Sequence, residues 1–188
     1  MSFFLRLSEL LFCFILLVTL SIPSIIIAIF IKIESKGPVL HWSKRIGIEN
    51  KYFLMPKFRT MILTTPQVAS NLLEEDMYLT KVGSILRKFS LDEIPQLLSI
   101  ISGQMTFVGP RPALYNQDDL IKLRTVNNIH MIKPGITGWA QINGRDNISI
   151  EKKVKLEIDY LNNKSIILDI KILFITIFRV ILSKDISH

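Results

Sequence analysis

Apolar residues are unevenly spread along this chain. Residues 10–31 form a run of 22 positions without a charge, bounded by Arg6 and Glu9 before it and by Lys32, Glu34 and Lys36 after it. A run of that length predicts a membrane helix that stays attached, because it exceeds the apolar stretch of a signal peptide and no small-x-small cleavage site follows. Pro23 sits a little past the middle, where a proline removes one backbone hydrogen bond and kinks the helix. The hydroxyls of Thr19, Ser21 and Ser24 are placed to rebond the carbonyls that a break frees. Divided at Pro23, the halves 10–22 and 23–31 measure roughly 20 Å and 14 Å, each short of a hydrocarbon core about 30 Å thick. A helix that enters and returns therefore stays open beside a simple span, and hydropathy alone favours the span.

From residue 33 to about 164 the pattern becomes that of a globular domain, mixed α/β and helix-rich. Residues 39–42 and 52–55 read as short strands around a polar turn at 47–51. Residues 64–80 are polar, lack an apolar period and predict a loop near the site. Ile94, Leu97, Leu98 and Ile101 recur at helical spacing until Gly103, which predicts a helix over 92–102. Residues 136–142 read as a strand entering the Asn143-Gly144 turn. The last apolar segment, 165–182, carries Asp169, Lys171 and Arg179, which argues against a second span and leaves an interfacial helix and an ordinary packed one as alternatives. The chain thus divides into a membrane helix (1–32), a catalytic domain (33–164) and a C-terminal helix with its tail (165–188).

Composition narrows the partners. A chain that is 49% hydrophobic yet carries a net charge of +7 suits an anionic membrane surface and phosphate-bearing substrates. Nucleic acid would also suit that charge, but the lysines and arginines are scattered and no nucleic-acid-binding motif appears. The single cysteine, Cys13, excludes intrachain disulfides and cysteine-based zinc sites.

The densest chemical signal is residues 86–98, LRKFSLDEIPQLL. Asp92 suits the cap of the predicted helix, which puts Pro95 at its third residue, where a missing N–H is no loss. A cap at Ser90 would make a Ser-x-x-Glu box with Glu93, but Pro95 would then delete a helical bond, so Asp92 is the expected cap. A helix N-terminus favours an ionised carboxylate and offers N–H groups to phosphate. Asp92 can then attack phosphorus while Glu93 holds a divalent cation, although helix capping alone also explains such a pair. Arg87, Arg111 between Pro110 and Pro112, Lys133 and Arg145 each present a cation from or near a turn, the arrangement a diphosphate needs.

These residues resemble a family, the bacterial sugar transferases or small monotopic phosphoglycosyl transferases. The likeness is carried by Lys57-Phe58-Arg59-Thr60-Met61, Ser90-Leu91-Asp92-Glu93, Phe107-Val108-Gly109-Pro110-Arg111-Pro112 and the stretch Lys133-Pro134-Gly135-Ile136-Thr137-Gly138-Trp139-Ala140-Gln141-Ile142-Asn143-Gly144-Arg145, and it continues through Leu168-Asp169-Ile170-Lys171-Ile172-Leu173. The resemblance implies transfer of a sugar-1-phosphate from a UDP-sugar to undecaprenyl phosphate, with release of UMP, in the first membrane step of glycoconjugate assembly. It implies Asp92 as covalent nucleophile, Glu93 with Asp92 as the Mg2+ site, Arg87, Arg111 and Arg145 as phosphate-binding residues, and Pro110 near the nucleotide. It further implies a re-entrant N-terminal helix bent at Pro23, interfacial contacts from the C-terminal helix with membrane phospholipid, and a cytoplasmic face of the bacterial inner membrane as the location. Ile22 stands before Pro23, where many small members have serine. Without the added spans of larger relatives, the chain is expected to be the minimal catalytic form. A membrane-tethered phosphate-binding protein and a UDP-sugar hydrolase are the rival readings.

Overall fold

The computed structural model describes residues 3–65, 78–144 and 148–182. The N-terminal apolar run forms two helices, α1 (Phe3–Thr19) and α2 (Ser21–Glu34), bent by 55° at Leu20. Among the described residues no single helix is long and apolar enough to cross a membrane; only this bent pair reaches that length together. The break expected at Pro23 lies three residues earlier, because a proline ring excludes the carbonyl four residues before it, here that of Thr19. Pro23 itself becomes the third residue of α2, where its N–H has no helical partner to lose. One of the expected hydroxyls rebonds the bend, Ser21 Oγ donating to the carbonyl of Val18 (2.7 Å), whereas Thr19 Oγ1 donates back into α1, to the carbonyls of Ile15 (3.0 Å) and Leu16 (3.1 Å), the second of which already accepts from Leu20 N.

Both arms of the bend are fastened to the rest of the chain. Arg6 Nη2 donates to the carbonyls of Ile100 (2.7 Å) and Ile101 (3.2 Å), and Glu9 accepts from Arg6 and from Thr106 Oγ1. At the far end of α2, Glu34 accepts from the backbone N–H groups of Lys81 (2.6 Å) and Val82 (3.1 Å), and Arg59 donates to the carbonyls of Ser35 and Lys36, both at 2.8 Å.

The turn read at 47–51 joins β1 (Leu40–Ile46) to β2 (Tyr52–Phe58) in an antiparallel hairpin, pairing Leu40 with Phe58 and Ile46 with Tyr52. Alternation aims Phe53 and Met55 inward, against Cys13 of α1 and the buried Leu97, Ile100 and Met105. Most of the loop expected over 64–80 lies outside the described residues. The chain next forms α3 (Lys81–Lys88), a 3₁₀ turn (Leu91–Gln96) and α4 (Leu97–Ile101). Here the expected helix from an Asp92 cap is corrected. Ser90 takes a left-handed conformation (φ 53°) that redirects the chain, and Asp92 becomes the second residue of a tight turn. Pro95 excludes the carbonyl of Leu91 from an α-type bond, which favours the tighter i→i+3 pattern.

A small parallel sheet follows, β3 (Thr106–Val108) with β4 (Gly135–Thr137), connected through α5 (Asp118–Val126). Only glycine fits at position 135, since a Cβ there would strike the backbone N of Gly109. The strand read over 136–142 ends at Thr137, and after the extended Gly138 the chain forms a short helix, α6 (Trp139–Ile142). The last elements are α7 (Ile150–Asn163) and α8 (Ile166–Leu182). Two charges that argued against a second span face the domain: Asp169 accepts from the Tyr160 hydroxyl at 2.7 Å, and Lys171 lies 5.9 Å from the Trp139 ring centre. Burial pushes the Tyr160 hydroxyl well above its ordinary value, and Asp169 adds to that. Ile172 is fully buried on the same helix, whereas Ile167, Ile170, Phe174, Ile177 and Phe178 are exposed. α1 and α2 likewise expose Phe3, Phe4, Phe14, Ile22, Ile25 and Phe30.

Candidate active site

β2 carries a polar exception to its own pattern. Lys57 has the same parity as Phe53 and Met55, so a lysine points where the strand otherwise buries apolar side chains. Its Nζ lies 2.9 Å from Glu93 Oε1 and 3.4 Å from Asp92 Oδ2. Arg111 Nη2 reaches the same Glu93 oxygen at 3.0 Å. Two cations and two carboxylates from three parts of the chain thus share one site.

Asp92 is 4% exposed, and its Oδ1 is buried without a hydrogen-bond partner. An unpaired buried carboxylate oxygen is costly, on the order of 1–3 kcal/mol. Burial alone would push the Glu93 carboxyl up, but Lys57 and Arg111 outweigh it and hold the group well below the usual carboxylate range. Glu93 is therefore ionised near neutral pH.

The loop that presents Arg111 is rigid for local reasons. Gly109 N donates to the Thr137 carbonyl (2.8 Å), the Pro110 carbonyl accepts from Gly135 N (2.9 Å), and the Pro112 carbonyl accepts from Arg45 (3.1 Å). Pro110 is buried and lines a small cavity with Arg124 and His130, distinct from the larger one that Glu93 and Arg111 line. Arg87 ends α3, with Nε 3.2 Å from Thr60 Oγ1 and Nη2 bonded to the Met61 sulfur, at the residues that follow β2. Arg145 lies outside the described residues. Of the residues singled out in the sequence, the fold therefore joins Asp92, Glu93 and Arg111 directly. Lys57 was quoted there only as part of a motif, and its being the one charged residue of an otherwise apolar and aromatic strand is the signal that marks it.

Among the described residues no group of three or more His, Cys, Asp or Glu side chains is arranged around a common point. Magnesium needs fewer, since it takes one or two carboxylates and completes its octahedron with water and substrate phosphate oxygens. The unpartnered Asp92 oxygen beside an ionised Glu93 fits that protein share of the shell.

The chain compares closely with proteins of one kind. The model of the bacterial sugar transferase family matches residues 1–183. Uncharacterized sugar transferase EpsL of Bacillus subtilis (strain 168) is 42% identical over 158 residues, 84% of this chain and 77% of that protein. The UDP-glucose:undecaprenyl-phosphate glucose-1-phosphate transferase of Escherichia coli (strain K12) is 38% identical over 84% of this chain and 36% of its own length. The UDP-N-acetylgalactosamine-undecaprenyl-phosphate N-acetylgalactosaminephosphotransferase of Aeromonas hydrophila is 36% identical over 80% and 37%. The chain thus spans little more than a third of these two longer relatives. Because the family model runs from the bent helix pair through the Asp92–Glu93 turn and into α8, the chain belongs to the bacterial sugar transferases.

Proposed function

We propose that this protein transfers a sugar-1-phosphate from a UDP-sugar to undecaprenyl phosphate through a covalent intermediate on Asp92. The observation that carries this reading is the buried, unpartnered Oδ1 of Asp92 beside a Glu93 kept ionised by Lys57 and Arg111. The names of the Escherichia coli and Aeromonas hydrophila relatives support the substrate classes.

In the first half, an Asp92 carboxylate oxygen attacks the sugar-bearing β-phosphorus and the bond to the UMP oxygen breaks. Lys57 and Arg111, with Arg87 at the end of α3 and Arg145, supply the positive field in which UMP departs. In the second half, an oxygen of the lipid phosphate attacks the same phosphorus, the Asp92–phosphorus bond breaks, and a polyprenyl-diphospho-sugar leaves with the carboxylate restored. Asp92 and Glu93 would hold Mg2+, which when bound neutralises phosphate charge. Pro110, on the loop that presents Arg111, would lie near the nucleotide.

The bent pair acts as a re-entrant wedge from the cytoplasmic side of the inner membrane. At ~1.5 Å per residue α1 and α2 are about 26 Å and 21 Å long, so neither crosses a core of about 30 Å. Arg6 at the start of α1 and Glu34 at the end of α2 both bond the same globular domain, which supports a wedge whose two ends share one face. The exposed apolar residues along α1, α2 and α8 suit the bilayer and its phospholipids.

The decisive experiment mixes the purified chain with UDP-sugar and no lipid acceptor. About one UMP per active site should appear, with a phospho-sugar adduct on the intact protein that is missing in Asp92→Asn. UMP release that requires acceptor, with no adduct trapped, would replace this mechanism with direct transfer. Continuous UMP release without acceptor would make the protein a hydrolase.

A further inference from the structure

Two prolines flank Arg111, and neither has a backbone N–H to donate. The chain on either side of this cation is therefore held through its carbonyls. Before it, the Pro110 carbonyl accepts from Gly135 N (2.9 Å). After it, the Pro112 carbonyl accepts from a side chain, Arg45 Nη1 on β1 (3.1 Å). Arg45 is itself braced on its own strand, because its Nε donates to the hydroxyl of the buried Ser43 at 3.0 Å. Bonding in two directions at once suits a guanidinium, whose N–H groups stand in a rigid planar fork, and does not suit the single ammonium of a lysine.

One residue further on, the backbone takes over. Ile46 N donates to the Ala113 carbonyl (3.0 Å), and Leu114 pairs with Arg45 in an antiparallel bridge. Leu114 N then closes on Gln117 Oε1 (2.9 Å). These backbone contacts dock residues 113–114 beside β1 whatever side chain stands at position 45. What the Arg45 side chain adds is the hold on Pro112, the residue next to the cation.

That hold bears on the site because two cations converge on one atom. Arg111 Nη2 and Lys57 Nζ both donate to Glu93 Oε1, at 3.0 Å and 2.9 Å. Lys57 stands on β2, the partner of β1. The hairpin thus carries one cation directly and steadies the other through Arg45. Hydrogen bonds weaken steeply away from their optimal length and angle, so a loop displaced by about 1 Å gives up this convergence.

We propose that Arg45 is a positioning residue for Arg111: its guanidinium, braced on Ser43, holds the Pro112 carbonyl so that Arg111 meets Glu93 and the phosphate of the donor in register. The assignment rests on the transferase reading above and adds a residue that acts through Arg111 rather than on the substrate.

The test is a double-variant cycle with full-length Arg45→Met, Arg111→Gln and their combination in nanodiscs. The rate of first UMP release is timed without acceptor, at saturating UDP-glucose, UDP-galactose or UDP-N-acetylgalactosamine, whichever the parent uses fastest. Arg111→Gln removes the cation and should slow release about a hundredfold. Arg45→Met frees its loop and should slow release about tenfold. Because the second acts through the first, the double variant should match Arg111→Gln within about twofold. Losses that multiply make Arg45 independent of Arg111 and overturn the proposal, as does a parental rate in Arg45→Met.

Hydrogen exchange gives a readout apart from activity. In Arg45→Met the amides of residues 109–114 should exchange about tenfold faster, while those of 52–58 keep the parental rate. Parental exchange over 109–114 overturns the positioning role, and so does faster exchange over both segments, which would make Arg45 a general prop of the hairpin. If Arg111→Gln is too slow to time, exchange decides alone. Should Arg45→Met fail to fold, Ser43→Ala removes only the brace and is judged by the same criteria. A parent that releases no UMP from any of these donors defeats the transferase reading instead, and exchange still decides whether Arg45 holds the loop.

Discussion

The ammonium of Lys57 lies 2.9 Å from the Glu93 carboxylate, although 36 residues separate them in the chain. Glu93 is buried, which by itself favours its neutral form, and its ionisation depends on Lys57 and Arg111. A carboxyl held below its unfolded value, about 4.3, contributes stability above that pH and loses it as the pH falls further, so Glu93 gives no titration near neutrality. Lys57→Met removes one of the two compensating cations and lets burial push the carboxyl upward. UMP release should fall about tenfold or more near pH 7, and the acid limb of the pH–rate profile should move upward. An acid limb that stays in place would separate Lys57 from the ionisation of Glu93.

Gly83 offers a test in which sign matters more than size. In an open helix Gly→Ala stabilises by about 1 kcal/mol, but a Cβ on Gly83 would meet the carbonyl of Thr60. Gly83→Ala should therefore destabilise, by about 1–3 kcal/mol, because α3 must move off the end of β2. Arg87 moves with it, away from Thr60 Oγ1, so activity should fall as well. A thermal melt in detergent should shift down by some 2–4 °C per kcal/mol. A higher melting point would mean that α3 has room to spare.

The Arg124–Glu157 pair joins α5 to α7, with Glu157 only 2% exposed. Glu157→Gln should cost about 3–5 kcal/mol, because it leaves the guanidinium buried and uncompensated. The double variant Arg124→Met, Glu157→Leu should recover most of that loss, as replacement of both partners often does. Chemical denaturation of the three proteins decides the matter. A double variant as unstable as the single would indicate that shape rather than charge sets the cost.

Membrane topology can be read with single cysteines at positions 3 and 36 in a Cys13→Ala background. Both should resist an impermeant thiol reagent in intact cells and react after lysis, as expected for a wedge with both ends inside. Labelling of position 3 from outside would restore a single span. Pro23→Ala relieves the clash with the Thr19 carbonyl and should shift position 3 toward outside labelling.

The features that local chemistry decides were legible in the sequence. The hairpin turn, the end of the helical pattern at Gly103 and the Asp92–Glu93 pair all followed from residues within a few positions of each other. Pro23 correctly foretold a bend but not its place, because the clash acts on a carbonyl four residues earlier. The dyad turn was misread as an α-helix start because the left-handed Ser90 has no distinctive residue type. Residues 136–142 read as one strand since nothing in apolar spacing marks the change at Gly138. Lys57 went unassigned because only the folded hairpin carries it across to Glu93, a contact made by tertiary structure alone.

The fastening of the bent pair has a further meaning. Arg6 closes on the end of α4 and Glu34 on the start of α3, which are the two helices that flank the turn of Asp92 and Glu93. The bent pair therefore holds the turn of Asp92 and Glu93 from both sides, as a staple grips a fold of paper. A chimera that exchanged residues 1–34 for an unrelated tether would still reach the bilayer, but it would free both ends of the clamp. The bent pair is thus built into the same hydrogen-bonded unit as the turn of Asp92 and Glu93.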